Sequence, residues 1–175
     1  MHALIIRGLA VAGMALLADG TVAQESKNRV GAFTDWSVFE AKEPTQCWSV
    51  SSPKETVNTR DGRVVSARRG EILLFVSYIP SDGVKGQVSF AGGYPFREGS
   101  TVSLDIGGTK FELFTDGEMA WSASDADDAK IVGAMKRGAE AVLVGISGRG
   151  TQTEDTFSLF GFTAAAEEAA KRCSG

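Results

Sequence analysis

The chain carries 22 Asp and Glu residues but a single histidine, His2. With no histidine beyond position 2, Ser-His-Asp and Cys-His nucleophiles, a histidine base and histidine-ligated zinc are all excluded. Acid–base work would fall to carboxylates. Glu154 and Asp155 are adjacent, and paired acids are what a glycan hydrolase uses. On a strand, however, neighbours point to opposite faces and cannot flank one bond. A working pair would need distant acids such as Asp105, Glu112, Glu118 or Asp155. Asp125, Asp127 and Asp128 cluster, but D-A-D-D lacks the alternating ligands and central glycine of a calcium loop. Capping a helix accounts for them better. Gly145–Gly150 (G-I-S-G-R-G) lacks the Lys-Ser/Thr ending of a P-loop. It reads as a glycine-dependent turn, with Arg149 expected to pair with an acid such as Asp155. No cofactor or metal is expected.

One group of side chains has binding rather than catalytic character. Lys54, Arg60, Arg63, Arg68 and Arg69 fall within sixteen residues, broken only by Glu55 and Asp61. They form a candidate surface for an anionic lipid or small ligand. The aromatics Trp36, Trp48, Trp121 and Tyr94-Pro95-Phe96 could line a cleft, but packing in a core is the commoner use of such residues. The net charge of −4 argues against nucleic acid.

The first 23 residues read as a secretory signal peptide: Arg7, an apolar stretch over Gly8–Ala18, and a small-x-small exit at Thr21-Val22-Ala23. That stretch is too short to span a bilayer. Cleavage after Ala23 would leave 24–175 as one domain with no transmembrane anchor. Export gives Cys47 and Cys173 their meaning, because an even cysteine count in an oxidising compartment reads as a disulfide.

The elements that must hold these groups are mostly strands. Phe33–Phe39, Cys47–Val50, Glu71–Ile79, Gln87–Phe90, Ala141–Ser147 and Thr156–Phe160 have strand character. Ser52–Gly70 reads as a long loop or a ragged hairpin around Asp61-Gly62. From Thr101 to Ser122 the alternation is clear. Gly107-Gly108 as a two-residue turn pairs Leu104 with Phe111 and Val102 with Leu113. Asp116-Gly117 as a second turn pairs Leu113 with Ala120. Phe114, Met119 and Trp121 then share the opposite face, and the following segment is expected to cover part of it. Ser124 is placed to cap a helix over Asp125–Arg137 that Gly138 ends, and Thr163 to cap an alanine-rich helix running to Cys173. The predicted fold is mainly β: an antiparallel β-sandwich, of which the immunoglobulin-like arrangement is one form, with one internal and one C-terminal helix.

Several stretches taken in order resemble one family: Phe33-Thr34-Asp35-Trp36, Cys47-Trp48, Gly93-Tyr94-Pro95-Phe96, Ala120-Trp121, Ala134-Met135, Ser147-Gly148-Arg149-Gly150-Thr151, Asp155-Thr156-Phe157-Ser158-Leu159, Gly161-Phe162-Thr163-Ala164-Ala165 and Cys173. The set is similar to the invasion-associated locus B (IalB) family of exported alphaproteobacterial envelope proteins. The resemblance implies a β-rich exported protein closed by an early-to-late cysteine pair, in the periplasm or associated with the outer envelope. It brings no catalytic residues. The resulting expectation is a non-enzymatic protein that binds an envelope or host-surface component. A carboxylate-based hydrolase of envelope glycan, and a binder of an anionic lipid or small ligand, are the alternatives.

Overall fold

The computed structural model describes residues 28–174. The expected signal peptide, 1–23, lies outside the described residues. The first half of the chain forms β1 (Arg29–Phe33), β2 (Trp36–Lys42), β3 (Thr45–Ser51), β4 (Glu55–Arg60), β5 (Arg63–Val64), β6 (Leu73–Ile79) and β7 (Val84–Ala91). A meander follows, β8 (Thr101–Ile106), β9 (Thr109–Asp116) and β10 (Met119–Trp121). The chain ends with helix α1 (Asp125–Met135), β11 (Glu140–Ile146), β12 (Gln152–Ser158) and helix α2 (Phe162–Arg172).

All twelve strands join one antiparallel sheet, ordered β1-β2-β3-β6-β7-β10-β9-β8-β11-β12-β4-β5. Phe90 of β7 and Phe157 of β12 lie five positions apart in that order, about 24 Å in a flat sheet. Their ring centroids are 6.1 Å apart, edge to face. The sheet therefore bends over on itself. The fold is a β-sandwich built from one continuous sheet rather than from two separately bonded ones. Alternate residues of its strands, among them Val38, Leu74, Val76, Val88, Val102, Leu104, Leu113 and Leu143, are fully buried between the layers.

Local chemistry explains most boundaries. The Gly107-Gly108 turn has both residues at positive φ, and Leu104 faces Phe111 and Val102 faces Leu113, as the alternation requires. The next turn is Gly117-Glu118, not Asp116-Gly117, so Ala120 faces Thr115 instead of Leu113. A shift of two residues keeps each side chain on its face, which is why Ala120 is still buried. Phe33–Phe39 is not one strand. It breaks at a Thr34-Asp35 turn, with Thr34 at φ 51°. The final strand begins at Gln152, four residues earlier than expected.

Ser124 caps α1 as predicted, its hydroxyl accepting the Asp127 N–H at 3.2 Å. The helix buries Ile131 and Met135 in the main core, while Phe114 on the opposite face of the meander stays 55% exposed. Gly138 is not a left-handed cap. A Cβ there would lie 2.7 Å from Ile106 and 3.0 Å from Leu159, so close packing demands the glycine. Thr163 does not cap α2. Gly161, at φ 88°, holds that position, and the Thr163 hydroxyl reaches the Lys136 carbonyl. Phe162, Ala165, Ala166 and Ala169 form the buried face of α2, which ends at the Cys47–Cys173 disulfide. No helix among the described residues is long and apolar enough to cross a membrane.

Candidate anion-binding cleft

Near one end of the sandwich a cleft of about 570 Å³ gathers four arginines, Arg60, Arg68, Arg69 and Arg149. Three pieces of chain carry its arginines, and Gly93–Pro95 and Glu118 complete the lining. The first is the β4–β5 hairpin, whose Asp61-Gly62 turn has both residues at positive φ. The second is the strap of residues 65–72 that carries the chain from β5 to β6. Its Val65 N–H bonds the Asn58 carbonyl at 2.9 Å, and its Gly70 N–H bonds the Gly93 carbonyl at 2.8 Å. The third is the β11–β12 turn, residues 147–151. Its backbone is closed by Gly150 N–H to Ser147 O at 2.8 Å, and Gly148 N–H is held by Pro95 O at 3.0 Å. The Ser147 hydroxyl accepts the Thr151 N–H at 3.1 Å. With those amides used internally, the turn presents the Arg149 side chain outward.

The floor of the cleft is electrically neutral. The Arg69 side chain is 5% exposed and the Asp155 side chain 0%. The guanidinium donates to both carboxylate oxygens at 2.7 Å and twice to the Gly92 carbonyl, at 3.0 and 2.7 Å. It also lies 5.0 Å from the centre of the Tyr94 ring. The Thr56 hydroxyl donates to Asp155 at 3.0 Å, and Tyr94 Oη lies 2.6 Å from Thr153 Oγ1. Burial pushes the Tyr94 phenol up, against the lowering pull of that hydrogen bond and of Arg69, so it stays protonated and is no base at neutral pH.

The other three arginines keep their charge available. Arg60 donates to the Thr151 hydroxyl at 2.6 Å. Arg68 and Arg149 are exposed, and neither pairs with a carboxylate among the described residues. The lining contains one carboxylate, Glu118. Guanidinium forks converging from separate segments are suited to an oxyanion, which each can hold through two parallel N–H bonds.

Of the five cations singled out in sequence, the structure brings Arg60, Arg68 and Arg69 together here. Arg69 is committed to Asp155, and Arg63 is exposed on the hairpin outside the lining. Lys54 pairs with Asp35 and belongs to a second cleft of about 600 Å³ beside Phe39, Trp48 and Phe75. Arg149 takes the vacated place. The expectation that it pairs with Asp155 is incorrect, because Arg69 already occupies both carboxylate oxygens. The glycines on either side of it mark the turn that carries it.

Of the acids considered for catalysis, Glu118 lines the cleft and Asp155 is paired with Arg69 beneath it. Asp105 accepts the Gly108 N–H at 2.8 Å in the hairpin turn, and Glu154 is exposed where its neighbour Asp155 is buried. Asp127 is bonded to Ser124 and Lys130. Asp128 is buried, accepting from Val88 N–H at 2.7 Å and from the Ser122 hydroxyl at 2.6 Å. No group of three or more metal-ligating side chains gathers among the described residues. Trp36, Tyr94 and Phe96 are core residues. Trp48 stacks on Phe39 at 5.6 Å on the outer face.

The profile of the invasion associated locus B (IalB) protein family matches residues 36–170, which include every arginine of the cleft. The chain belongs to the IalB family. The crystal structure of invasion associated protein B from Bartonella henselae is similar to it, with a TM-score of 0.53 at 17% sequence identity. That likeness covers 81% of this chain and 95% of the Bartonella chain, and it shows a shared fold. No curated protein matches the chain. IalB membership and the observed Cys47–Cys173 bridge agree with the order of motifs along the sequence.

Proposed function

We propose that this IalB protein is an exported binding module that recognises an anionic ligand through its arginine cleft and catalyses no reaction. The observation that carries this reading is the convergence of Arg60, Arg68 and Arg149 on one concavity without a histidine, a thiol or a paired carboxylate beside them. Concave sites with a few convergent polar groups are the usual form of small-ligand sites. The chain as a whole carries −4, so an anion is repelled by most of the body and attracted at this mouth.

Export is supported by the signal-peptide pattern over 1–23 and by a disulfide, which persists in the periplasm and outside the cell. The mature chain, 24–175, would then act as one domain in the periplasm or at the outer envelope, on an envelope or host-surface component. The name of the Bartonella relative ties that protein to invasion. For this chain, contact with a host surface is one setting in which an anion-binding module would serve. Calorimetric titration of the mature protein with inorganic phosphate and with citrate, at low and high salt, tests the reading. Binding that weakens with salt and is lost in Arg68→Gln/Arg149→Gln is expected. Absence of binding to either anion overturns it.

A further inference from the structure

The composition of the cleft narrows the class of anion. Arg69 and Asp155 cancel, leaving three guanidiniums against Glu118, a local charge of +2. A carboxylate has one charge and two oxygens, and a single arginine fork spans both, as Arg69 does for Asp155. A phosphate monoester carries about −1.5 to −2 at neutral pH and offers three terminal oxygens. Three forks around a net +2 match the monoester in both charge and oxygen count. Arg60 spends one of its five N–H donors on Thr151, leaving the rest for a ligand.

The cleft is also larger than one phosphate needs. Its volume of about 570 Å³ falls among sites that enclose a whole small molecule. The rest of the wall includes the Asn58 amide, the Ser66 and Thr151 hydroxyls and the apolar Val65, Ala67 and Pro95. Such a mixture suits a body carrying many hydroxyls on a compact ring.

Building on the anion-binding reading, we infer that the cleft holds a phosphorylated sugar, its monoester gripped by Arg60, Arg68 and Arg149. The sugar phosphate is free or is the headgroup of a glycolipid. The recognition chemistry is the same in both cases.

The experiment is a calorimetric titration of the mature, disulfide-intact protein with glucose 1-phosphate, glucuronate and glucose. A parallel arm uses phosphatidylcholine vesicles carrying a phosphorylated glycolipid. Glucose 1-phosphate is expected to bind at least about tenfold more tightly than glucuronate, the loss of one charge-assisted hydrogen bond being worth about that factor. Glucose is expected not to bind. Arg149→Gln should weaken the sugar phosphate by about tenfold or more, and Arg149→Lys should restore only part of it, because a lysine lacks the fork. Arg149 is exposed and has no ion-pair partner among the described residues, so both variants should unfold at the wild-type temperature. Tighter binding to the vesicles than to the free compound identifies a lipid-borne source, and equal binding a soluble one; both sustain the inference. Equal affinity for glucuronate and glucose 1-phosphate, or an Arg149→Gln variant that binds as wild type, overturns it while leaving anion binding intact. No binding of any anion overturns both readings.

Discussion

The buried pair beneath the cleft gives a sharp stability prediction. Asp155→Asn keeps the shape of the side chain and one accepting oxygen for Arg69 and Thr56. It replaces the other oxygen with an amide whose N–H groups face a guanidinium N–H now 2.7 Å away. The positive charge stays behind, 5% exposed, with no counter-charge and only the Gly92 carbonyl, the Asn58 amide oxygen at 3.5 Å and the Tyr94 ring beside it. Stranding one member of a buried pair costs about 3–5 kcal/mol. For a domain of this size that lowers the thermal midpoint by about 6–20 °C. Thermal and denaturant unfolding of the mature protein, followed by circular dichroism, read the loss. Arg69→Met/Asp155→Leu removes both charges while filling the space, and should recover part of the stability because no lone charge remains. Glu167→Gln, which breaks an ion pair with Lys136 whose partners are 63% and 36% exposed, should be indistinguishable from wild type. If Asp155→Asn behaves like Glu167→Gln, the buried pair does not hold the strap of residues 65–72, and the description of the cleft floor is wrong.

Three further predictions concern other parts of the fold. Cys47→Ser/Cys173→Ser opens a link across 126 positions and should lower stability by about 2–5 kcal/mol, a gap that reductant abolishes by bringing wild type down to the variant; an unchanged denaturation midpoint in oxidising buffer would contradict it. Gly161→Ala must hold a non-glycine residue at φ 88° with its Cβ 2.0 Å from the Phe33 carbonyl oxygen. It should cost more than about 2 kcal/mol and far more than Gly62→Ala, where φ is also positive but space is open; comparable midpoints for the two would refute the packing argument. The hydrogen bond from Lys130, then that from the Ser124 hydroxyl, holds the Asp127 carboxyl below its ordinary 3.8. That stabilisation is complete above the unfolded value and vanishes as pH falls through the lower folded one, so the gap between wild type and Asp127→Asn should close as urea titrations are taken below the ordinary 3.8, and a gap constant with pH would exclude it.

What the sequence made legible was local. The Gly107-Gly108 and Asp61-Gly62 turns follow from glycine's access to positive φ, and the Ser124 cap from a serine three residues before an acid. The face carried by Ala120 could be read, although its partner could not, because turns two residues out of register present the same alternation. Gly138 looked like a helix terminator, and only the approach of Ile106 and Leu159 reveals its use. The cations on β4 and the strap were visible as a run. Their division into Arg60 and Arg68 facing the cleft, Arg69 buried and Lys54 elsewhere depends on contacts such as Arg69–Asp155, 86 residues apart. Arg149 joined them because β12 pairs with β4, a long-range choice that no local pattern encodes.

The proposed function rests on an anion binding at the arginine cleft of this IalB protein. Amide chemical-shift mapping of the mature protein during titration with inorganic phosphate tests it most directly. The largest shifts should gather on residues 147–151, 66–70 and 93–94, and they should disappear in Arg68→Gln/Arg149→Gln. Shifts centred instead on the second cleft, around Asp35, Trp48 and Lys54, or no saturable shifts at all, would contradict it.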